Sequence, residues 1–126
     1  MAILRVDWSP VLDYTERMVT LHAPSDGGVY CLYYQSGSER KVFYVGQAPS
    51  LMEGLRGHLA ATEPNPCIKQ HLQGYKCSFR YAKIGNRFAE ETTIANRNGA
   101  ERALYERYRP GCNDVPQTAD AVEINF

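Results

Sequence analysis

A chain of 126 residues, 44% hydrophobic and 11% aromatic, holds enough apolar material for one folded domain and too much for a disordered one. Its 14 Lys and Arg balance 14 Asp and Glu, and the zero formal charge excludes a protein that is basic over its whole surface. No apolar run approaches the roughly 20 residues of a membrane span, and charge interrupts the first residues too soon for a signal peptide, so a cytoplasmic protein with no membrane role is expected.

Ser9-Pro10 reads as an N-cap followed by a first-turn proline, and Val11, Leu12, Met18, Val19 and Leu21 predict an amphipathic helix reaching His22. After a loop over 23–28, residues 29–34 and 41–45 are rich in β-branched and aromatic side chains. With the polar stretch 35–40 between them they predict a β-hairpin with a loose loop. Ser50-Leu51-Met52-Glu53 is a capping box that opens a helix over 51–61, with Leu51, Leu55 and Leu59 on its buried face. Pro64 and Pro66 break that helix, and 67–73 predicts a short second one. Residues 75–84 alternate in the manner of a strand, with Tyr75, Cys77, Phe79 and Tyr81 on one face. Two helices are expected over 88–95 and 100–108, separated by Asn98-Gly99 and closed by Pro110-Gly111, and 122–126 reads as an edge strand.

These elements predict an α+β fold, a three-stranded antiparallel sheet flanked by helices. A helical extension is expected over 1–27, the main domain over 28–113 and an acidic tail over 114–126. The four cysteines, Cys31, Cys67, Cys77 and Cys112, make no Cys-x-x-Cys pair, so reduced structural thiols are expected and zinc is not, although Cys67 and His71 share a helix face.

Gly28-Val29-Tyr30 on the first hairpin strand and Tyr44-Val45-Gly46 on the second are followed, four residues after Gly46, by the capped helix. Further on, Glu101-x-x-Leu104-Tyr105 leads to Tyr108-Arg109-Pro110-Gly111-Cys112-Asn113. In this order the elements resemble the GIY-YIG nuclease superfamily, and the resemblance covers about 28–113. It implies a metal-dependent endonuclease that hydrolyses phosphodiester bonds in DNA, ahead of RNA, with one Mg2+ or Mn2+. A partner protein or a homodimer would then supply a second nucleic-acid surface.

Carried onto this chain, the resemblance gives Glu101 the metal, Tyr30 the nucleophilic water, Tyr44 the phosphate or the general-base network, and Asn113 a bracing role. His58 matches the family histidine on the first helix. Gly54 stands where the family places an arginine. Arg56 completes the candidate set, but two positions turn a helical side chain about 200°, nearly to the opposite face; Arg40 and Arg80 are alternative sources of a guanidinium. Gly54 motivates the alternative reading, a catalytically weakened or inactive GIY-YIG-derived module that binds nucleic acid or protein.

Blander readings stand beside these. Tyr30 and Tyr44 are two of nine tyrosines, Glu101 also reads as a solvated helix carboxylate, and Glu90 or Glu91 is an alternative metal ligand, with Glu101 preferred because its distance to Pro110 and Asn113 fits the resemblance. The charge is also unevenly divided: residues 69–109 carry nine Lys and Arg against four Glu, a net +5, and the rest of the chain −5. One basic face with salt-sensitive phosphate affinity is therefore expected.

Overall fold

The computed structural model describes residues 2–84, 91–115 and 121–126. It begins with a short strand, β1 (Ala2–Leu4), then a two-residue strand, β2 (Leu12–Asp13), and a helix, α1 (Glu16–His22). This helix starts later than Ser9-Pro10 predicts, because Thr15 is its cap: the Thr15 hydroxyl accepts from the Met18 amide at 3.2 Å. Ser9 serves a neighbouring strand instead, its hydroxyl accepting from the Tyr81 amide at 3.0 Å.

The hairpin strands are β3 (Gly28–Ser36) and β4 (Glu39–Ala48). The expected loose loop is a two-residue turn, Gly37-Ser38, in which Gly37 takes the positive φ (62°) that such turns require of a first central residue. Pairing is antiparallel with one shift in register: Leu32 faces Tyr44 and Tyr33 faces Val42, so Phe43 is an extra residue, a β-bulge. The bulge places Phe43 and Tyr44, consecutive in the chain, in one core cluster, and Val42 and Val45 in the other.

Two helices follow, α2 (Leu51–Leu59) and α3 (Pro66–Gly74), then β5 (Cys77–Lys83). Ser50 caps α2 through the Glu53 amide, and Asn65 caps α3, with Pro66 in the first turn. The sheet order is β2-β5-β3-β4, antiparallel throughout, so it has four strands where three were expected. Leu12 and Asp13, taken above as helix, are the addition, paired with Phe79 and Ser78.

The helix α4 (Glu91–Tyr108) runs unbroken through Asn98-Gly99, where two helices were expected; the beginning of the first, 88–90, lies outside the described residues. Gly99 and Ala100 are buried where α4 packs on β3 and β4, and that packing outweighs the turn preference of an Asn-Gly pair. The strand β6 (Val122–Ile124) forms as expected and pairs in parallel with β1, making a small ribbon against α4.

The core divides across the sheet. Tyr14, Val19, Tyr30, Leu32, Phe43, Leu51, Leu55, Ile68 and Phe79 pack beneath α1, α2 and α3. Val29, Cys31, Val45, Ala82, Ala100 and Leu104 pack beneath α4 and the ribbon. The expectation of four reduced thiols is corrected: Cys67 and Cys112 form a disulfide across 45 residues, while Cys31 and Cys77 are free and buried. Sequence spacing carried no sign of it, because only the fold brings α3 and the segment after α4 together. No helix among the described residues is long and apolar enough to cross a membrane.

Candidate active site

Tyr30 lies on the central strand β3, and its ring crosses over Gly46, its partner on β4. A Cβ at position 46 would collide with Cζ and the hydroxyl of Tyr30, so the absence of a side chain there is what lets the phenol reach across the strand. The ring is buried (3% exposed), and its hydroxyl is 2.7 Å from His58 Nε2, on the last turn of α2. Tyr44 joins the pair, its ring centroid 6.2 Å from that of Tyr30 and 5.0 Å, edge-on, from that of His58. Tyr44, in regular register two residues before Gly46 and opposite Leu32, falls on the same face as Tyr30.

Behind His58 stands a residue the sequence reading passed over. Glu63, in the loop between α2 and α3, places Oε2 2.8 Å from His58 Nδ1, and its Oε1 accepts from the Asn65 amide at 3.0 Å. Asn65 also donates from Nδ2 to the Cys112 carbonyl at 3.0 Å, so the loop is tied to the segment that the disulfide anchors. The available signal was a carboxylate five residues after His58.

On the far side, the open edge of β4 is closed by the segment that follows α4. Arg109 takes a left-handed conformation (φ 46°) that ends the helix and turns the chain back. Cys112 then donates its amide to the Phe43 carbonyl at 3.0 Å, and Asn113 bonds both polar groups of the Val45 main chain at 2.8 Å each. One pair further along, the Gln47 amide hydrogen-bonds the Glu101 carboxylate. An edge strand is a liability unless its outward groups are satisfied, and here the satisfying groups are candidate site residues.

The electrostatics follow from burial. Desolvation raises the Tyr30 phenol well above its ordinary value, helped by Tyr44, Tyr14, Glu101 and Glu63, and pushes Tyr44 up to about 12, with Glu101 and Glu63 contributing. Burial also raises the Glu101 carboxyl, opposed by the Gln47 amide. Phenols and acids that disfavour one another's ionisation would all be eased by positive charge placed among them. One carboxylate beside two phenols suits a hard divalent cation that retains most of its water.

The structure therefore gathers Tyr30, Tyr44 and His58, and sets Glu101 and Asn113 along the adjoining β4 edge. It does not bring Arg56 to them: that side chain is on the exposed face of α2, paired with Glu16 at 3.2 Å. Arg40 lies over Tyr33, and Arg80 over Trp8 with its centre 3.9 Å from the ring centroid, so neither supplies the guanidinium. Position 54 does face Tyr30, but a Cβ there would stand 2.7 Å from that of Ala48, so an arginine would require β4 to shift. Arg97, one helical turn before Glu101, is buried and donates from Nε to Gln47 Oε1 at 3.2 Å, so Arg97 and Glu101 both reach the same residue of β4. Glu90 lies outside the described residues, and only the backbone of Glu91 is described.

The residues expected to form a basic face are largely engaged. Besides Arg80, Arg107 lies over Phe126, Arg109 over Tyr105, and Arg102 pairs with Glu106.

A hairpin whose two tyrosines meet a helix histidine, with the helix that carries Glu101 closing the strand edge, defines a nuclease-like α+β fold. Solved structures agree. The GIY-YIG N-terminal endonuclease domain of UvrC from Thermotoga maritima, bound to magnesium as its catalytic divalent cation, matches at a TM-score of 0.54 and 21% identity, covering 79% of this chain and 96% of that one. A tyrosine-to-phenylalanine variant of the same domain matches at 0.54 and 22%, covering 79% and 94%, and a second such variant at 0.51 and 24%, covering 79% and 96%. No family model matches the sequence, and no curated protein does. The chain has a GIY-YIG-like fold.

Proposed function

We propose that the chain is a metal-dependent endonuclease that hydrolyses phosphodiester bonds in DNA. The observation that carries this reading is the cluster of buried Tyr30 with partly buried Tyr44 and His58, beside the helix that carries Glu101, on a fold shared with an endonuclease domain. Glu101 is the residue that would hold the ion, Mg2+ or Mn2+, which when bound would supply positive charge for the phosphate oxygens and the leaving oxygen.

Every other role belongs to the chain itself. Tyr30 faces the water, its hydroxyl the group that orients it and takes its proton. Tyr44 closes the pocket and contacts the phosphate. Asn113 ties β4, and with it Tyr44 and Gly46, to the segment that follows α4. Arg97, held on Gln47, adds positive charge at the β4 edge in the absence of an arginine at position 54.

The test is nicking of supercoiled, branched and single-stranded DNA, with RNA in parallel, in the presence of Mg2+ or Mn2+. Cleavage that Glu101→Ala abolishes is expected. Binding without cleavage in every arm would leave the degenerate-module reading, and neither binding nor cleavage would remove nucleic acid from the account.

A further inference from the structure

We propose that Glu63 is a positioning residue that fixes His58 in the tautomer able to take the proton of Tyr30, so that carboxylate, imidazole and phenol form one relay behind the proposed nuclease site. For its role in cleavage this rests on the reading above; the hydrogen-bond relay itself does not. Three elements contribute one group each: Tyr30 from β3, His58 from the end of α2, and Glu63 from the loop before α3. The two links are 2.7 Å and 2.8 Å.

The direction of the chain follows from what each atom can do. An ionised carboxylate only accepts, so the hydrogen between Glu63 and His58 sits on Nδ1. A neutral imidazole with hydrogen on Nδ1 has its lone pair on Nε2, which faces the Tyr30 hydroxyl, and the phenol must therefore donate. In the proposed step the Tyr30 O–H bond breaks, an N–H bond forms at Nε2, and a phenolate and an imidazolium result, the latter against the Glu63 carboxylate. The phenolate then removes a proton from the attacking water, and His58 releases its own proton to solvent, which it can reach because it is only partly buried.

Two further features favour a dedicated arrangement over a chance contact. Glu63 is buried (8% exposed), and its second oxygen is held by the Asn65 amide, so the side chain cannot swing away. The phenol also needs assistance: Tyr44 from β4, Tyr14 ahead of α1, Glu101 from α4 and Glu63 all face Tyr30 and oppose its ionisation, and none of them is a cation. A base within hydrogen-bond distance is the chain's own remedy.

The experiment is nitrogen NMR of the histidine rings in the full chain without metal, under mildly alkaline conditions, on wild type and on Glu63→Gln. The glutamine carbonyl still accepts from the Asn65 amide, while its amide group now donates to Nδ1. Wild type is expected to show His58 protonated on Nδ1, and Glu63→Gln to show the proton moved to Nε2. In the cleavage arm, kcat should fall at least about tenfold in Glu63→Gln with KM unchanged. Protonation of His58 on Nε2 in wild type overturns the proposal, as does a Glu63→Gln protein that cuts with wild-type kcat. The wild-type spectrum needs no variant to fold, and if no substrate is cut at all the nuclease reading fails while the ring spectrum alone decides the role of Glu63.

Discussion

The two faces of the sheet are built from the same strands and do different work. Beneath α4, the side chains of Val29, Cys31, Val45, Ala82, Ala100 and Leu104 make an apolar layer whose contribution is burial. Beneath α1, α2 and α3, the layer is equally buried but threaded with polar groups, each supplied with a partner: Tyr14 donates to the Leu55 carbonyl at 2.6 Å, and Tyr30, His58, Glu63 and Asn65 form a continuous chain. The comparison teaches that chemistry can be placed inside a core when every donor has an acceptor, and that the apolar face then carries the stability the polar face gives up.

Four substitutions test that division, in order of expected effect. Tyr30→Phe keeps the ring over Gly46 and removes the hydroxyl; cleavage should fall by about a thousandfold, equivalent to about 4 kcal/mol, with a melting temperature within a few degrees of wild type. Its counterpart across the sheet, Leu104→Ala, empties a fully buried site and should cost about 3 kcal/mol in urea unfolding, while molecules that remain folded keep their cleavage rate. If the first unfolds the chain or the second selectively abolishes cleavage, the division of labour is wrong.

Glu101→Gln sharpens the boundary between the faces. Its carboxyl is raised by burial, so the folded state holds that proton more tightly than the unfolded chain, and stability falls as pH rises above the ordinary carboxylate range. The glutamine variant should therefore melt higher than wild type at neutral pH and equally at acid pH, while losing metal-dependent cleavage. The smallest effect belongs to Arg56→Ala, which breaks an exposed pair with Glu16 worth about 0.5 kcal/mol and should leave cleavage unchanged. A large loss of cleavage there would return Arg56 to the active site.

What the sequence disclosed follows the same line. The hairpin strands, the Ser50 cap, the buried Leu51 and Leu55 of α2 and the β5 alternation from Cys77 onward are local patterns, and each is present, although the hairpin turn is tighter than expected. The start of α1 was misplaced because Ser9 and Thr15 are both competent caps and only the tertiary partner of Ser9, Tyr81, decides between them. The split of α4 was misjudged because the burial of Gly99 is a property of the sheet it meets. Tyr30, Tyr44 and His58 were singled out through the family resemblance, and the structure brings them together. The Cys67–Cys112 bond was not legible, since its two halves meet only after folding, and Glu63 left no sign beyond a carboxylate five residues from His58.

The bulge at Phe43 has a last consequence, one of parity. In a regular strand, residues an even number apart share a face, so Phe43 would belong with Val45, and Tyr44 with Val42. The single unpaired residue reverses that count for everything on the turn side of it. Alignment by even and odd positions across the hairpin would consequently mismatch the two halves of β4, and a one-residue deletion at 43 would leave Tyr44 facing His58 while removing the carbonyl on which Cys112 is moored.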